Sequence, residues 1–247
     1  MRTLAAIAMA ASVGTASAQV TVIDFSTEDD GLTPLVNGQV IDTEFGFIFN
    51  LSSSGANAGL GIFDTDTTGP NASGADPDLL VDLGNALILQ NNNGGFGSQT
   101  AGVFDTANDD ADGGTITFDF TLEVELVSLD LIDMNGNNGG TVTLTDANGL
   151  TRIYTVPNEW TFDPSVQPFG WDTLDLTTLA DQAGETGNLA TALEDAGFDA
   201  ARVVRLDVFF VGSGALDNLT IRGEDIPAPG GAVALGLGGL IATRRRR

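Results

Sequence analysis

Residues 115–126 read TITFDFTLEVEL, with Ile116, Phe118, Phe120, Leu122, Val124 and Leu126 at every second position. A period of two puts all six apolar side chains on one face of an extended strand, a pattern that a helix cannot bury. The stretch therefore demands a long strand with one covered face, and the rest of the chain has to supply the cover. After it the apolar phase changes to Val127, Leu129 and Leu131, which calls for a bulge or tight bend.

Other segments fit that demand. Residues 20–25, 44–51, 86–90, 203–211 and 215–222 read as strands, the second with Phe45, Phe47 and Phe49 expected on one buried face. Residues 141–145 and 151–156 form a hairpin around Asp146-Ala147-Asn148-Gly149, a turn sequence suited to positive φ. Residues 186–197 read as the one short helix, with Leu189 and Leu193 four apart and Gly197 as its stop. The chain has no cysteine, so the domain has to hold itself by core burial, with bound metal as the other available support.

The loops between strands are acidic. Residues 61–84, GIFDTDTTGPNASGADPDLLVDLG, carry Asp64, Asp66, Asp76 and Asp78 between two strand-like pieces. Carboxylates packed this densely repel one another unless a cation neutralises them, and Ca²⁺ is bound through oxygen ligands alone. Val103-Phe104-Asp105-Thr106 repeats Ile62-Phe63-Asp64-Thr65 and leads into a second acidic loop with Asp110 and Asp112. Asn108, Asp110, Asp112 and Gly113 fall at EF-hand positions 1, 3, 5 and 6, yet a strand follows and no helix precedes, which excludes an EF-hand. Two strands ending at one edge would deliver both loops to one place, so Asp64, Asp66, Asp76, Asp78, Asp105, Asp110 and Asp112 are the candidate calcium ligands.

The two ends read as targeting segments. Residues 1–18 combine Arg2, an apolar core and Ala16-Ser17-Ala18, the pattern of a secretory signal with A-x-A cleavage. At the other end Pro227-Ala228-Pro229 precedes an apolar, glycine-rich run over 230–242 and the block Arg244-Arg245-Arg246-Arg247. That run is shorter than the roughly 20 residues of a membrane-spanning helix, so it reads as a transient or marginal anchor with its arginines on the cytoplasmic side. The order of Pro-x-Pro, apolar segment and arginine cluster over 226–247 resembles the PEP-CTERM sorting tail, with Ala228 where that motif has glutamate. The resemblance implies an exosortase-type processing enzyme as partner and export to the cell surface or beyond.

The series of FDT loop, DPDL, LILQ, DDADGGTITFDF, LDLID and GSGALDNLTI is similar to an uncharacterised class of secreted β-sandwich proteins that carry such tails. Asp217 on the last strand, beside Asp24 or Glu28 of the first, resembles the structural calcium site of jelly-roll carbohydrate-binding modules. The expected fold is thus all-β, an antiparallel β-sandwich of jelly-roll, carbohydrate-binding-module-like type with one short helix, spanning 19–225. Asp24 and Asp217 join the candidate metal ligands.

Charge narrows the partners. All 34 acidic residues, 26 of them Asp, lie between the two terminal segments, against only Arg152, Arg202, Arg205 and Arg222. Such a domain repels nucleic acid and anionic membrane surfaces. With no histidine, cysteine or lysine, Ser-His-Asp and Cys-His nucleophiles, ordinary zinc sites and Schiff-base chemistry are excluded. A carboxylate pair such as Glu123 and Glu125 is what remains for a polysaccharide hydrolase or lyase, although on a strand so acidic the solvated face is the simpler reading. Trp160 and Trp171, on the irregular stretch 157–175, could stack on sugar rings or cap the core. The expected function is non-catalytic: a calcium-stabilised surface or extracellular-matrix protein with polysaccharide as its candidate ligand. The alternatives are the carboxylate-dependent enzyme and a purely structural matrix component.

Overall fold

The computed structural model describes residues 19–55, 59–74, 76–134, 139–161, 170–184 and 186–223. Both terminal segments, 1–18 and 226–247, lie outside these residues. The strands are β1 (Gln19–Ile23), β2 (Phe49–Ser54), β3 (Gly59–Asp64), β4 (Asn85–Gln90), β5 (Gln99–Thr100), β6 (Val103–Phe104) and β7 (Gly114–Ile132). They continue as β8 (Gly140–Asp146), β9 (Thr151–Val156), β10 (Trp171–Asp175), β11 (Gln182–Ala183), β12 (Leu189–Glu194), β13 (Val203–Phe210) and β14 (Ala215–Gly223). All pairings are antiparallel, and among the described residues the only helical pieces are single 3₁₀ turns at Pro77–Leu79 and Ala200–Arg202. The fold is all-β and sandwich-like, as the alternation demands.

The alternating stretch is the axis of the molecule. β7 runs 19 residues without a break. Its first half pairs with β2 and β13, and β13 leads on through β8, β9 and β12 to β11. Its second half pairs with β10 and β14, and β14 leads on to β1, β4 and β3. The phase change expected after Leu126 falls where β7 passes from one set of partners to the other. Both strands carry the irregularity: Val127 is the extra residue on β7 between the Thr220–Ser128 and Ile221–Leu126 pairs, and β14 has its own extra residue between Asp217 and Thr220. Ile116, Phe118, Val124, Leu126, Leu129 and Leu131 all enter the main core, so the strand changes phase and still feeds the same core.

Two local readings are corrected. Residues 189–194 form strand β12 rather than a helix, paired through Thr191 to Thr155 and Leu193 to Ile153. Leu189 and Leu193 are both exposed, because β12 lies near the end of the strand order and the four-residue spacing marks its outer face. In the phenylalanine segment β2 begins only at Phe49. Residues 45–48 form a turn in which the Phe49 amide donates to the Phe45 carbonyl at 2.9 Å, so Phe45 and Phe49 are buried while Phe47 is 67% exposed. The hairpin of β8 and β9 forms as expected, with Asp146 Oδ1 accepting the amides of Asn148 at 2.8 Å and Leu150 at 2.9 Å.

The sheet of β3, β4, β14 and β7 has a second covered face. Leu87, Leu131 and Leu216 point to the main core, while Ile88, Ile132 and Ala215 point the other way. There Leu79, on the 3₁₀ turn of the first acidic loop, packs with Phe63, Ala86 and Ala107, flanked by Leu80, Val81 and Leu83. The acidic loop is therefore pinned across the sheet by its own apolar tail, which carries Asp76 and Asp78 into a half-buried setting.

Candidate metal centres

Leu79 anchors the first loop, and the two acidic residues beside it come with it. Asp76 Oδ2 accepts the backbone N–H of Asp109 at 2.9 Å, which joins the first acidic loop to the second. Asp109 in turn accepts the Gly214 amide at Oδ2 at 2.7 Å, and Asp133 Oδ2 accepts the Ser213 hydroxyl at 2.9 Å. Asp133 directly follows β7, in the left-handed region at φ 61°. Four carboxyl groups, Asp76, Asp78, Asp109 and Asp133, thus meet where two acidic loops converge on the end of β7 and the start of β14.

Their electrostatics record the crowding. Burial first, with the charge of Asp78 beside it, pushes Asp76 up to about 6 against the hydrogen bond from the Asp109 amide. Burial and then the charges of Asp78 and Asp76 push Asp133 up to about 7. Asp109 is raised well above the usual carboxylate range by burial and by Asp76, Asp133 and Asp78, and burial also raises Asp78. Among the described residues no arginine answers them. Arg152 pairs with Glu194, Arg202 with Glu123, Arg205 with Asp119 and Asp207, and Arg222 with Glu125. The chain has no lysine or histidine to take their place.

The other expected ligands divide among different places. Asp64 and Asp66 line an open depression with Asp82, Ser26 and Asn85, apart from their loop neighbours Asp76 and Asp78. There Asp64 Oδ1 accepts the Asp66 amide, and Asp66 Oδ1 accepts the amide and hydroxyl of Thr68, the local side-chain-to-backbone bonds of tight turns. Asp105 accepts the hydroxyls of Ser98 at 2.5 Å and Thr100 at 2.8 Å, on the surface. Asp110 is buried with its Oδ2 unbonded, while its Oδ1 accepts the Asp112 amide at 3.2 Å. Asp217 stands opposite Asp130 in the register of β14 and β7, and the charge of exposed Asp24, just past β1, acts on it together with that of Asp130.

Asp109, Asp130 and Asp133 escape a reading of the sequence alone. Asp109 stands at the second position of the EF-hand-like run, where the eye follows the alternate residues. Asp130 and Asp133 sit in LDLID, where Leu129 and Leu131 announce a strand but not what lies on its other face. Among the described residues, no group of three or more His, Cys, Asp or Glu side chains is placed so that it could hold a metal ion as it stands.

The carboxylates expected of an enzyme are engaged. Glu123 accepts two hydrogen bonds from Arg202 at 2.7 and 2.8 Å, and Glu125 accepts two from Arg222 at 2.8 and 2.9 Å. The two tryptophans differ as well. Trp160 is 1% exposed in the main core with its indole N–H donated to the Gln182 carbonyl at 3.2 Å, whereas Trp171 is 39% exposed at the start of β10. Phe162 and Phe169, between them, lie outside the described residues.

No protein-family model matches the chain, and no curated protein matches it. Among the described residues no helix is long and apolar enough to cross a membrane.

Proposed function

We propose that this is an exported, non-catalytic surface or extracellular-matrix protein whose sandwich is stabilised by bound Ca²⁺. One observation carries the reading: buried Asp109 and Asp133 crowd half-buried Asp76 and Asp78, and the four arginines among the described residues all pair elsewhere. Such a group has two routes to neutrality, protons or an added cation. In a calcium-rich medium outside the cell the cation wins, because oxygen-only donors of this charge suit Ca²⁺. The donors there suit the ion chemically: carboxylate oxygens and the Ser213 hydroxyl are hard ligands, and the chain has no histidine or cysteine to compete.

Bound there, the ion would tie the first acidic loop to the second and both to the junction of β7 and β14. Its work is to hold the fold together, which leaves any polysaccharide contact to an exposed group such as Trp171. Export and processing by an exosortase-type enzyme rest on the sequence patterns of residues 1–18 and 226–247.

The test is thermal unfolding of protein stripped with EDTA and then returned to millimolar Ca²⁺. A ligand bound only by the native state stabilises it by mass action, by about 2.7 kcal/mol at a hundredfold excess over Kd. The melting temperature is expected to rise by several degrees with Ca²⁺ and to fall again with chelator. Identical melting curves in both states sink the metal reading.

A further inference from the structure

An open sheet edge invites pairing with another chain, and folded proteins blunt such edges with lysine, proline, a bulge or a covering segment. Among the described residues the edge of β2 away from β7 has none of these. No strand pairs with it, and its register against β7 runs from Phe49 to Ser54 without a shift. Its sequence, Phe-Asn-Leu-Ser-Ser-Ser, carries neither proline nor charge.

The ladder fixes where its backbone groups point. The Thr121 amide donates to the Ile48 carbonyl at 3.0 Å, which makes 48 and 121 a hydrogen-bonded pair in the same register that sets Asn50 against Asp119. Such pairs recur at every second residue of an antiparallel ladder, so Asn50, Ser52 and Ser54 turn their N–H and C=O groups to β7. Leu51 and Ser53 turn theirs to the open edge. The Leu51 side chain, half-buried against the main core, stands at the same margin.

The other edges are covered or charged. β3 is bonded to residues 38–41, with the Gly38 amide donating to the Ile62 carbonyl at 2.7 Å and the Ile41 amide to the Leu60 carbonyl at 3.0 Å. Thr27, Glu28, Phe45 and Ile48 close a small cavity against the end of β1. β10 carries Asp172 and Asp175, and β12 ends on Glu194 with Asp195 after it. Charge decides between edges, because a domain with 34 acidic residues and four arginines repels its own copies wherever carboxylates are opposed. At β2 none would be.

We infer that β2 pairs antiparallel with β2 of a second copy about a two-fold axis, joining two sandwiches edge to edge. Ser52 then lies opposite the partner's Ser52. Leu51 exchanges backbone hydrogen bonds with the partner's Ser53, and by symmetry Ser53 does so with the partner's Leu51, so every outward group of these two residues is satisfied. The seam also covers Leu51 in both copies. A two-strand seam buries less than a standard stable interface, so the dimer is weak and forms at high local concentration.

Sedimentation equilibrium of the full chain, in Ca²⁺ and up to millimolar protein, is expected to show reversible exchange of monomer and dimer. The dimer should tighten as NaCl is raised, because salt screens the repulsion between the acidic domains. Ser52 is exposed, so Ser52→Asp and Ser52→Lys keep the fold, and each sets like charges against each other on the axis. Each is expected to weaken the dimer by about fivefold, and an equimolar mixture of the two to restore it. Ser53→Pro removes an amide that serves no bond to β7 and is expected to abolish the dimer. A parent that stays monomeric throughout overturns the inference. So does a dimer that both Ser52 variants leave unchanged, one that weakens as salt is raised, or one lost on deleting residues 226–247. Each of these leaves the Ca²⁺ reading untouched, since that reading is scored by melting temperature.

Discussion

The Gly214 backbone N–H donates to Asp109 Oδ2 at 2.7 Å across 105 residues of chain. The bond ties the second acidic loop to the start of β14, and it fixes the carboxyl group most crowded by like charges. Asp109→Asn keeps an oxygen that can accept this bond and removes one charge from the group. In metal-free protein at pH 8 the variant is expected to melt about 2–4 °C above the parent, the shift that roughly 1 kcal/mol produces in a chain of this size. With saturating Ca²⁺ the order reverses, since the parent gains more from the ion. Scanning calorimetry of both proteins with and without Ca²⁺ checks the crossing; parallel shifts in the two would refute a role for Asp109 at the ion.

Acid and base should act on the metal-free protein in an unusual direction. An unfolded Asp ionises near pH 4, while folded Asp133 keeps its proton to about 7 and Asp217 to about 8. A carboxyl raised on folding gives its full stabilisation below the unfolded value and loses it as pH climbs through the folded value. The melting temperature without metal is therefore expected to fall between about pH 4 and pH 8, and Ca²⁺ to flatten that fall. The exposed carboxyls held low by hydrogen bonds, Asp30, Asp66 and Asp105, work in the opposite sense only below about pH 4. A metal-free profile that rises from pH 5 to pH 8 contradicts the burial of these groups.

Ion pairs in this molecule are unequal. Arg152 is buried, bonded to Glu194, to the Leu176 carbonyl at 2.8 Å, and laid over the Phe198 ring at 4.8 Å. Removing its partner by Glu194→Ala leaves an uncompensated buried charge, expected to cost about 3 kcal/mol. Glu123→Ala, at the exposed pair with Arg202, should cost far less, because water and salt screen the pair. Urea unfolding of the two variants side by side measures the difference.

The two tryptophans are expected to separate stability from recognition. Trp160→Ala empties a core position and strips the Gln182 carbonyl of its donor, for a loss of roughly 3–5 kcal/mol. Trp171→Ala leaves the core intact and should change stability by about 1 kcal/mol or less. If neutral polysaccharides bind, the Trp171 variant alone loses binding while still melting like the parent. Retained binding in that variant moves the contact elsewhere.

How far the sequence could be read depended on what set each residue's surroundings. The strands announced themselves where one face was buried and the other was not, as in β7 and the β8–β9 hairpin, because alternation is a local signal. The segment 189–194 misled because Leu189 and Leu193 are exposed on a strand near the end of the strand order, where hydrophobic spacing no longer reports a buried face. Phe47 misled in the same way, flanked by two buried phenylalanines in a turn. The acidic loops could be recognised as ligand-rich, and their meeting could be expected, but which carboxylates meet is decided by Leu79 packing on the sheet. That contact selects Asp76 and Asp78 and leaves Asp64 and Asp66 to their own turns. Asp130 and Asp217 face each other only through the register of β7 and β14, a long-range pairing that no local pattern encodes.

The last described strand lies between the first and the longest: β14 pairs with β1 on one side and with β7 on the other. A chain delivered from its N-terminus, by a ribosome or through a secretion channel, therefore has no way to close the sheet until residue 223 has emerged. Until then β1 and the second half of β7 present unpaired edges. Premature termination anywhere before β14 should yield an aggregating polypeptide rather than a smaller domain, and folding should be slow, because the pairings of β14 with β1 and of β7 with β13 and β14 join segments distant in sequence.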